Sequence, residues 1–306
     1  MRMTTAMFKR SATTVGMMSL LWILSTLIIP SSSHAAIFFD TSFETCTTET
    51  GNDFPCEGWV DGGFETVGIP PNIHVGLAVV MSPAAAFSGS KGVRGIHDMK
   101  TGTVAGNGGN TQKPSIYKSI PAGTKHTFAR WAFREASGFE FCAINGSTKL
   151  VRFNGNGYPK IWLLNYGGSY VIAAEGPYDS AGASDLFYSG VQVSTSAWQQ
   201  IEFEWKLNTP GQPDGLMRLW VDGVLRIERL NRQWVGPTPT STGLHHNNVT
   251  PSTLTTDSIQ LYMQCGLGTM YYDRIAVGNT RIGPTNSKAT SVDSTAPASP
   301  QELQVR

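Results

Sequence analysis

From Ile37 onward, short runs alternate apolar with polar residues, and no stretch of helical length has apolar residues recurring every three or four positions. Alternation puts successive side chains on opposite sides of an extended strand, so that one side can be buried while the other faces water. The pattern therefore predicts a protein built of β-strands. We expect the clearest strands at 37–43, 115–120, 126–134, 149–153, 160–166, 169–174, 198–207, 216–221, 224–229, 258–265 and 270–277.

Turn-forming sequences separate these runs, and Asp222-Gly223 is the most informative of them. Both central positions of a type I′ turn need positive φ, which Asp and Gly tolerate best. The residues 216–221 and 224–227 on either side alternate, so the sequence predicts a tight antiparallel hairpin. Similar turn chemistry at 154–157 and 165–168 supports the same antiparallel arrangement.

The composition agrees with many strands joined by loops, because 33 residues are Gly, 17 are Pro and 15% are charged. Eight Trp, nine Tyr and fourteen Phe supply enough apolar surface to form a core, which excludes disorder for most of the chain. We therefore expect an all-β fold.

The first 35 residues have the order of a secretory signal peptide. Basic residues at the start precede an apolar run from Val15 to Ile29, and small residues end the segment at Ala35. A membrane anchor is the alternative, but the run contains Ser and Thr and is shorter than the roughly 20 apolar residues that a span needs. We expect export to the periplasm or the extracellular space, with no membrane span after the signal is removed.

The chain after this segment is expected to form one domain at 36–284, followed by a disordered linker or tail at 285–306. The tail resembles a linker that leads into a fibronectin type III module. Residues 234–256 are rich in Pro, Thr, Asn and His, and we expect them to form a long loop.

Net charge and cysteine content narrow the function classes. A net charge of +1 gives no field strong enough to favour nucleic acid or an acidic membrane surface as the partner.

Of the four cysteines, Cys46 and Cys56 lie close together in a loop, and we expect them to form a disulfide. Cys142 and Cys265 are either a second bridge or two buried thiols. No cysteine or histidine spacing indicates a metal site, and we expect no metal and no cofactor.

Three parts of the chain carry patterns of a known family. They are 128–134 with 137–141 and Lys149-Leu150, then 198–202 with 208–211 and 214–223, and last 271–277 with 282–284. Together they resemble the concanavalin A-like sandwich of bacterial alginate and glucuronan lyases and their relatives. The resemblance implies two antiparallel sheets in a jelly-roll sandwich and a polysaccharide partner.

Cleavage of an acidic polysaccharide by β-elimination needs a group that neutralises the uronate carboxylate, a base for the proton at C5 and an acid for the leaving oxygen. Arg, Lys and Tyr can supply these roles. The candidate catalytic residues are Arg130, Arg134, Lys149, Tyr262 and Tyr272. The candidate substrate-binding residues are Arg152, Trp162, Tyr166, Trp220 and Gln264.

Each candidate has a structural alternative. Arg130 and Arg134 could form cross-strand ion pairs with Glu202 and Glu204, and the tyrosines and tryptophans could pack in the core.

The function that we expect is a secreted polysaccharide-binding sandwich; the alternatives are a polysaccharide lyase and a structural envelope protein without glycan activity. Hydrolysis is disfavoured because the Glu-x-Asp-x-x-Glu signature of sandwich glucanases is absent from the sequence.

Overall fold

The computed structural model describes the body of the predicted domain. The described residues are 36–46, 56–61, 76–82, 84–99, 115–141, 147–153, 159–176, 186–195, 197–234, 257–264 and 266–285. The expected signal peptide at 1–35, the loop residues 235–256, the tail residues 286–306, Cys142 and Cys265 lie outside the described residues.

Fifteen strands make up the described fold, and all of their pairings are antiparallel. They are β1 (Ile37–Thr41), β2 (Val60–Asp61), β3 (Gly76–Met81), β4 (Lys91–Met99), β5 (Ser115–Ser119), β6 (His126–Glu135), β7 (Ser147–Phe153), β8 (Lys160–Tyr166), β9 (Ser169–Glu175), β10 (Leu186–Gln192), β11 (Gln199–Lys206), β12 (Gly215–Val221), β13 (Val224–Arg232), β14 (Ser258–Gln264) and β15 (Gly266–Gly278). Eight of them form one sheet in the order β13-β12-β11-β6-β15-β4-β3, with β1 also paired to β15. The other seven form a second sheet in the order β10-β9-β8-β7-β14-β5-β2.

The two sheets share one hydrophobic core. Phe153 on β7 and Phe203 on β11 belong to different sheets, and their ring centroids are 5.5 Å apart. Trp131 and Phe133 from β6 join the same buried cluster as Ile161 from β8. Because both sheets direct apolar side chains into one layer, the fold is an all-β sandwich of two antiparallel sheets, as the sequence predicted.

Strand alternation decides which side chains reach that core. On β6, Ala129, Trp131 and Phe133 face inward, so Arg130 and Arg134 lie on the outer side of the eight-stranded sheet. The strand is buried almost throughout because further side chains also cover its outer side. Trp131 therefore packs in the core.

The Asp222-Gly223 hairpin forms as predicted. Asp222 has φ 52° and Gly223 has φ 79°, and Val221 pairs with Val224 across the turn. Gly167 and Gly168 also have positive φ in the turn between β8 and β9. Each of these two turns fixes the register between the two strands that it joins.

Four strands were not expected from the sequence: β2, β3, β4 and β10. The run of β3 is apolar without alternation, and β4 contains two glycines, so neither has a clear period of two. In β10, Gly190 has φ 71° and the pairing with β9 shifts register between Tyr188 and Gln192. A bulge of this kind breaks the pattern from which strands are predicted.

The disulfide between Cys46 and Cys56 is present, with Cα atoms 5.6 Å apart, and this prediction is confirmed. The Nζ of Lys91 donates hydrogen bonds to the carbonyl oxygens of Glu44 at 2.8 Å and of Cys46 at 2.7 Å. Residues 44–46, which lead into the disulfide, are thus held against the start of β4. Within the described part of the chain, no helix has the length and apolarity to cross a membrane.

Candidate functional site

The outer face of the seven-stranded sheet carries a group of charged and polar side chains on its central strands. The inward residues of these strands, such as Ile161 and Leu163 on β8, fill the core, so their neighbours in sequence face outward. We call the outward group the basic cluster: Lys149 and Arg152 on β7, Lys160 and Trp162 on β8, Glu175 on β9 and Gln260 on β14.

Strand register brings the members of the basic cluster side by side. Gln260 pairs with Arg152, Arg152 with Lys160, and Lys160 with Glu175, which makes one row across four strands. Residues directly opposite each other on neighbouring strands have Cβ atoms about 5 Å apart. The row therefore spans roughly 15 Å of the sheet surface.

Trp162 lies at the centre of the cluster, opposite Lys149. Its indole Nε1 donates a hydrogen bond to Glu175 Oε2 at 2.7 Å, which fixes the ring. The Nζ of Lys149 is 4.6 Å from the ring centroid, and the Nζ of Lys160 is 5.5 Å from it. Two ammonium groups thus make cation–π contacts with one ring.

The cluster combines three cationic side chains with a single carboxylate. The Nζ of Lys160 is 3.7 Å from Glu175 Oε2, and Arg152 Nε donates to Gln260 Oε1. Burial lowers the pKa of Lys160, Arg152 lowers it further, and Glu175 opposes both effects. Among the described members of the cluster, the cationic groups therefore outnumber the carboxylate.

Tyrosines stand around the cluster on the same face. Tyr166 is exposed at the end of β8, its ring centroid is 4.6 Å from that of Tyr188 on β10, and Tyr117 is exposed on β5 opposite Gln260. The backbone of β14 carries Tyr262 opposite Ser115. Gln264 pairs with Lys149, next to the cluster.

The predicted site residues are divided between the two sheets. Lys149, Arg152, Trp162 and Tyr166 share the outer face of the seven-stranded sheet, with Tyr262 and Gln264 on a strand of that sheet. Arg130, Arg134 and Trp220 belong to the eight-stranded sheet and make their contacts on its outer side. Arg130 and Arg134 therefore cannot contact one ligand together with Lys149 and Arg152, because the core separates the two pairs.

Arg130 and Arg134 have structural partners on their own sheet. Arg130 Nη2 is 3.3 Å from Asp40 Oδ2, and its backbone lies opposite Glu202. The guanidinium of Arg134 lies 5.5 Å from the Trp198 ring centroid and 5.2 Å from that of Tyr271. Both arginines thus have structural contacts, but with other partners than the Glu202 and Glu204 of the alternative, which pair with Arg281 and Arg218 among the described residues.

Trp220 is covered on the outer side of β12, since the guanidinium of Arg281 lies 4.6 Å from its ring centroid. Its exposed fraction is 6%, so little of the ring remains for a sugar. The prediction that Trp220 binds substrate is wrong for this reason.

Tyr272 lies inside the sandwich and is fully buried. Its hydroxyl is 3.9 Å from the sulfur of Met270, and burial raises the pKa of the phenol above its ordinary value. A polysaccharide on either surface cannot reach this hydroxyl, so the expectation of a catalytic role for Tyr272 is wrong. Alternation had left open which side of β15 faces the core.

The carboxylates Glu202 and Glu204 also serve the structure. Glu204 accepts from His126 Nε2 at 2.8 Å and from Arg218 Nη1 at 3.0 Å. Burial raises the pKa of Glu204, but these two hydrogen bonds outweigh it and the net shift is downward. Glu202 pairs with Arg281 at 3.3 Å.

Three members of the cluster were not among the site residues predicted from the sequence: Lys160, Glu175 and Gln260. Lys160 could have been found, because it lies two residues before Trp162 on a correctly predicted strand and must face the same side. Gln260 depends on register between strands that are distant in sequence, and Glu175 lies one residue beyond the predicted end of its strand at 174. Among the described residues, no group of three or more His, Cys, Asp or Glu side chains is arranged to hold a metal ion.

The chain matches no protein-family model and no curated protein. It is similar to the endo-β-1,4-glucuronan lyase of the fungus Trichoderma reesei, with 16% identity, a TM-score of 0.45 and coverage of 76% of this chain and 96% of that one. An alginate lyase from Chlorella virus has 15% identity and a TM-score of 0.42, covering 65% of this chain and 90% of the lyase. The globular domain of T. cruzi calreticulin has 11% identity and a TM-score of 0.43, covering 80% and 89%.

Glucuronan and alginate lyases, the group that the sequence patterns resemble, are therefore among the structural neighbours of this chain. Each of these superpositions stays below a TM-score of 0.5. The assignment of the two-sheet sandwich consequently rests on the strand pairing of the chain itself.

Proposed function

We propose that this chain is an exported polysaccharide-binding protein and that the basic cluster is the centre of its binding surface. The observation that carries the proposal is the convergence of Lys149, Arg152 and Lys160 around Trp162 on adjacent strands. Strand register sets this arrangement, so the side chains are held on a rigid element.

The chemistry of the cluster favours sugars that carry carboxylate or sulfate groups. Arg and Lys recognise such anions through charge-assisted hydrogen bonds, which are stronger than neutral ones. Lys149 lies over the ring of Trp162, so on that side of the ring a ligand would meet the ammonium group first. An extended acidic polysaccharide fits a surface of this charge better than a neutral glucan does.

Export is supported by two features of the chain. The order of residues in 1–35 is that of a signal peptide, and Cys46 and Cys56 form a disulfide. Disulfides persist mainly in oxidising compartments outside the cytosol. A surface that binds polysaccharide would be useful in that location.

The test is titration of the purified protein with alginate, with glucuronan and with a neutral glucan. We expect binding to at least one of the two acidic polymers, with an affinity that falls as salt is added, and no binding to the neutral glucan, because salt screens charge-based contacts. Binding to the neutral polymer alone, or an affinity independent of salt, would contradict the proposal.

A second candidate function is β-elimination on the same surface, favoured by the lowered pKa of Lys160. Once this side chain has given up its proton, the amine can take the C5 proton of a uronate; the electron pair then forms the C4–C5 double bond, and the oxygen that leaves C4 takes up a proton from water. The unsaturated product absorbs ultraviolet light. Ultraviolet absorbance that rises with the native chain and not with Lys160→Met would support an enzyme, whereas no rise would leave binding alone.

A further inference from the structure

Exposed aromatic side chains mark two separate places on the face that carries the basic cluster. Among the described residues, the large hydrophobic side chains with high exposure include two aromatic ones, Tyr117 at 38% and Tyr166 at 43%. Both lie on strands of the seven-stranded sheet, whereas the aliphatic members of this group lie on strands of the other sheet: Ile37, Met81, Val224 and Leu230.

Tyr117 and Tyr166 stand on opposite sides of the cluster. Tyr117 is in the row of Lys160, three strands away, and Tyr166 is the last residue of β8, six positions after Lys160. Three strand spacings are roughly 14 Å and six residues along a strand are roughly 20 Å. The two tyrosines therefore lie at the ends of a diagonal of about 25 Å, with the cationic groups between them.

Tyr188 extends the aromatic surface at the Tyr166 end. The two rings lie 4.6 Å apart at an interplanar angle of 32°, although their strands are separated by β9. Leu164 and Val171, which pair with each other nearby, are buried at 9% and 4% without belonging to the hydrophobic core cluster. They form an apolar floor at this end of the face.

The competing explanation is that the tyrosine pair covers this floor and has no other role. It does not account for Tyr117, which is exposed at the opposite end with no ring partner among the described residues. Solvent-exposed aromatic rings on both sides of a cationic centre are a typical arrangement for contacts with the apolar faces of sugars.

We propose that Tyr117 and the pair Tyr166–Tyr188 are two terminal contact points for one polysaccharide chain, which crosses the basic cluster diagonally. This inference rests on the proposed function and adds the length of the ligand to it. A ligand of one or two sugars can occupy the cluster alone, while a chain of several sugars reaches the aromatic ends.

The experiment is calorimetric titration with alginate and glucuronan oligosaccharides, as dimers, tetramers and octamers. Tyr117→Ala and Tyr166→Ala should each weaken binding of the octamer roughly fivefold to tenfold, the value of one aromatic contact, and leave binding of the dimer within about twofold. Leu230→Ala is the matched control, because Leu230 is 45% exposed on β13 of the other sheet. It should change neither affinity.

Tyr166→Phe keeps the ring, so it should bind the octamer like the native chain and should exclude misfolding as the cause of the loss. Equal losses for dimer and octamer, or no loss for either, would overturn the inference. If Arg152→Ala weakens binding of oligosaccharides of every length while the tyrosine variants behave like the native chain, the proposed function is supported and the terminal contacts are refuted. If the native chain binds no oligosaccharide, both proposals are refuted.

Discussion

Glu135 is a buried carboxyl group without a hydrogen-bond partner among the described residues. Its exposed fraction is 1%, it faces inward at the end of β6, and neither carboxyl oxygen has a hydrogen-bond partner among the described residues. Burial raises the pKa of Glu135 to about 8. The carboxyl is therefore protonated in the folded protein at neutral pH, next to Tyr272.

Glu135 should make the folded protein less stable as pH rises. Above its ordinary pKa of 4.5 the unfolded chain has lost this proton, whereas the folded chain keeps it until about pH 8, so the free energy of unfolding falls across that window. We expect a decrease of roughly 3 kcal/mol between pH 5 and 8 in the native chain, relative to Glu135→Gln. Urea unfolding of both proteins at a series of pH values measures it.

Asp273 adds a smaller effect of the same sign, because burial raises its pKa to about 6, and this effect remains in Glu135→Gln. The two proteins should therefore both lose stability with rising pH, the native chain more steeply. Parallel curves for the two proteins would show that Glu135 ionises normally in the folded state.

The β12–β13 hairpin shows how a single turn is tied to the sheet. Asp222 Oδ1 accepts from Gln200 N at 2.8 Å, and Asp222 N donates to the carbonyl oxygen of Gln200 at 2.8 Å. The turn is thus bonded to the start of β11 as well as closing its own hairpin. Positive φ and the side-chain hydrogen bond both favour Asp at this position.

Substitutions at Asp222 should separate these two contributions. Asp222→Gly loses the hydrogen bond but accepts positive φ, and should cost about 1 kcal/mol of unfolding free energy. Asp222→Ala loses the hydrogen bond and adds backbone strain, and should cost about 1 kcal/mol more. Chemical denaturation measures both, with Asp222→Asn as the conservative control. Equal stability of the Gly and Ala variants would show that positive φ at position 222 costs the Ala variant no extra free energy.

Elements with strong local signals could be predicted from the sequence. The bounds of β8 were predicted to the residue, and the Asp222-Gly223 turn has the expected geometry. The strands β3 and β10 could not be recognised, since β3 is a continuous apolar run and β10 contains a glycine bulge. Their partners β4 and β9 are neighbours in the chain, so the weak signal lies in the strands β3 and β10 themselves.

The candidate site could be predicted only in part. Alternation shows which residues share a side of a strand, but it does not show which sheet the strand joins. Arg130 and Lys149 were grouped by residue type, and the core separates them. Trp162 and Lys149 were separate candidates, and the register of two strands that follow each other in the chain brings them opposite each other.

The two outer faces of the sandwich are also used differently. On the eight-stranded sheet, Glu202 Oε1 accepts from the backbone N of Ile282 at 2.8 Å and of Gly283 at 2.9 Å, so the segment that follows β15 lies over this side of the sheet. On the seven-stranded sheet, the cationic groups of the basic cluster are arranged around a ring on the surface. This difference is the reason for assigning the binding surface to the latter.

Charge reversal on each face tests this assignment most directly. Lys149→Glu alters the basic cluster, while Lys206→Glu makes the same change on β11 of the eight-stranded sheet, where Lys206 pairs with Asp214 at 3.5 Å. In calorimetric titration with whichever acidic polysaccharide the native chain binds, Lys149→Glu should weaken binding at least roughly tenfold and Lys206→Glu by less than about twofold. Equal losses in the two variants, or a larger loss in Lys206→Glu, would contradict the account.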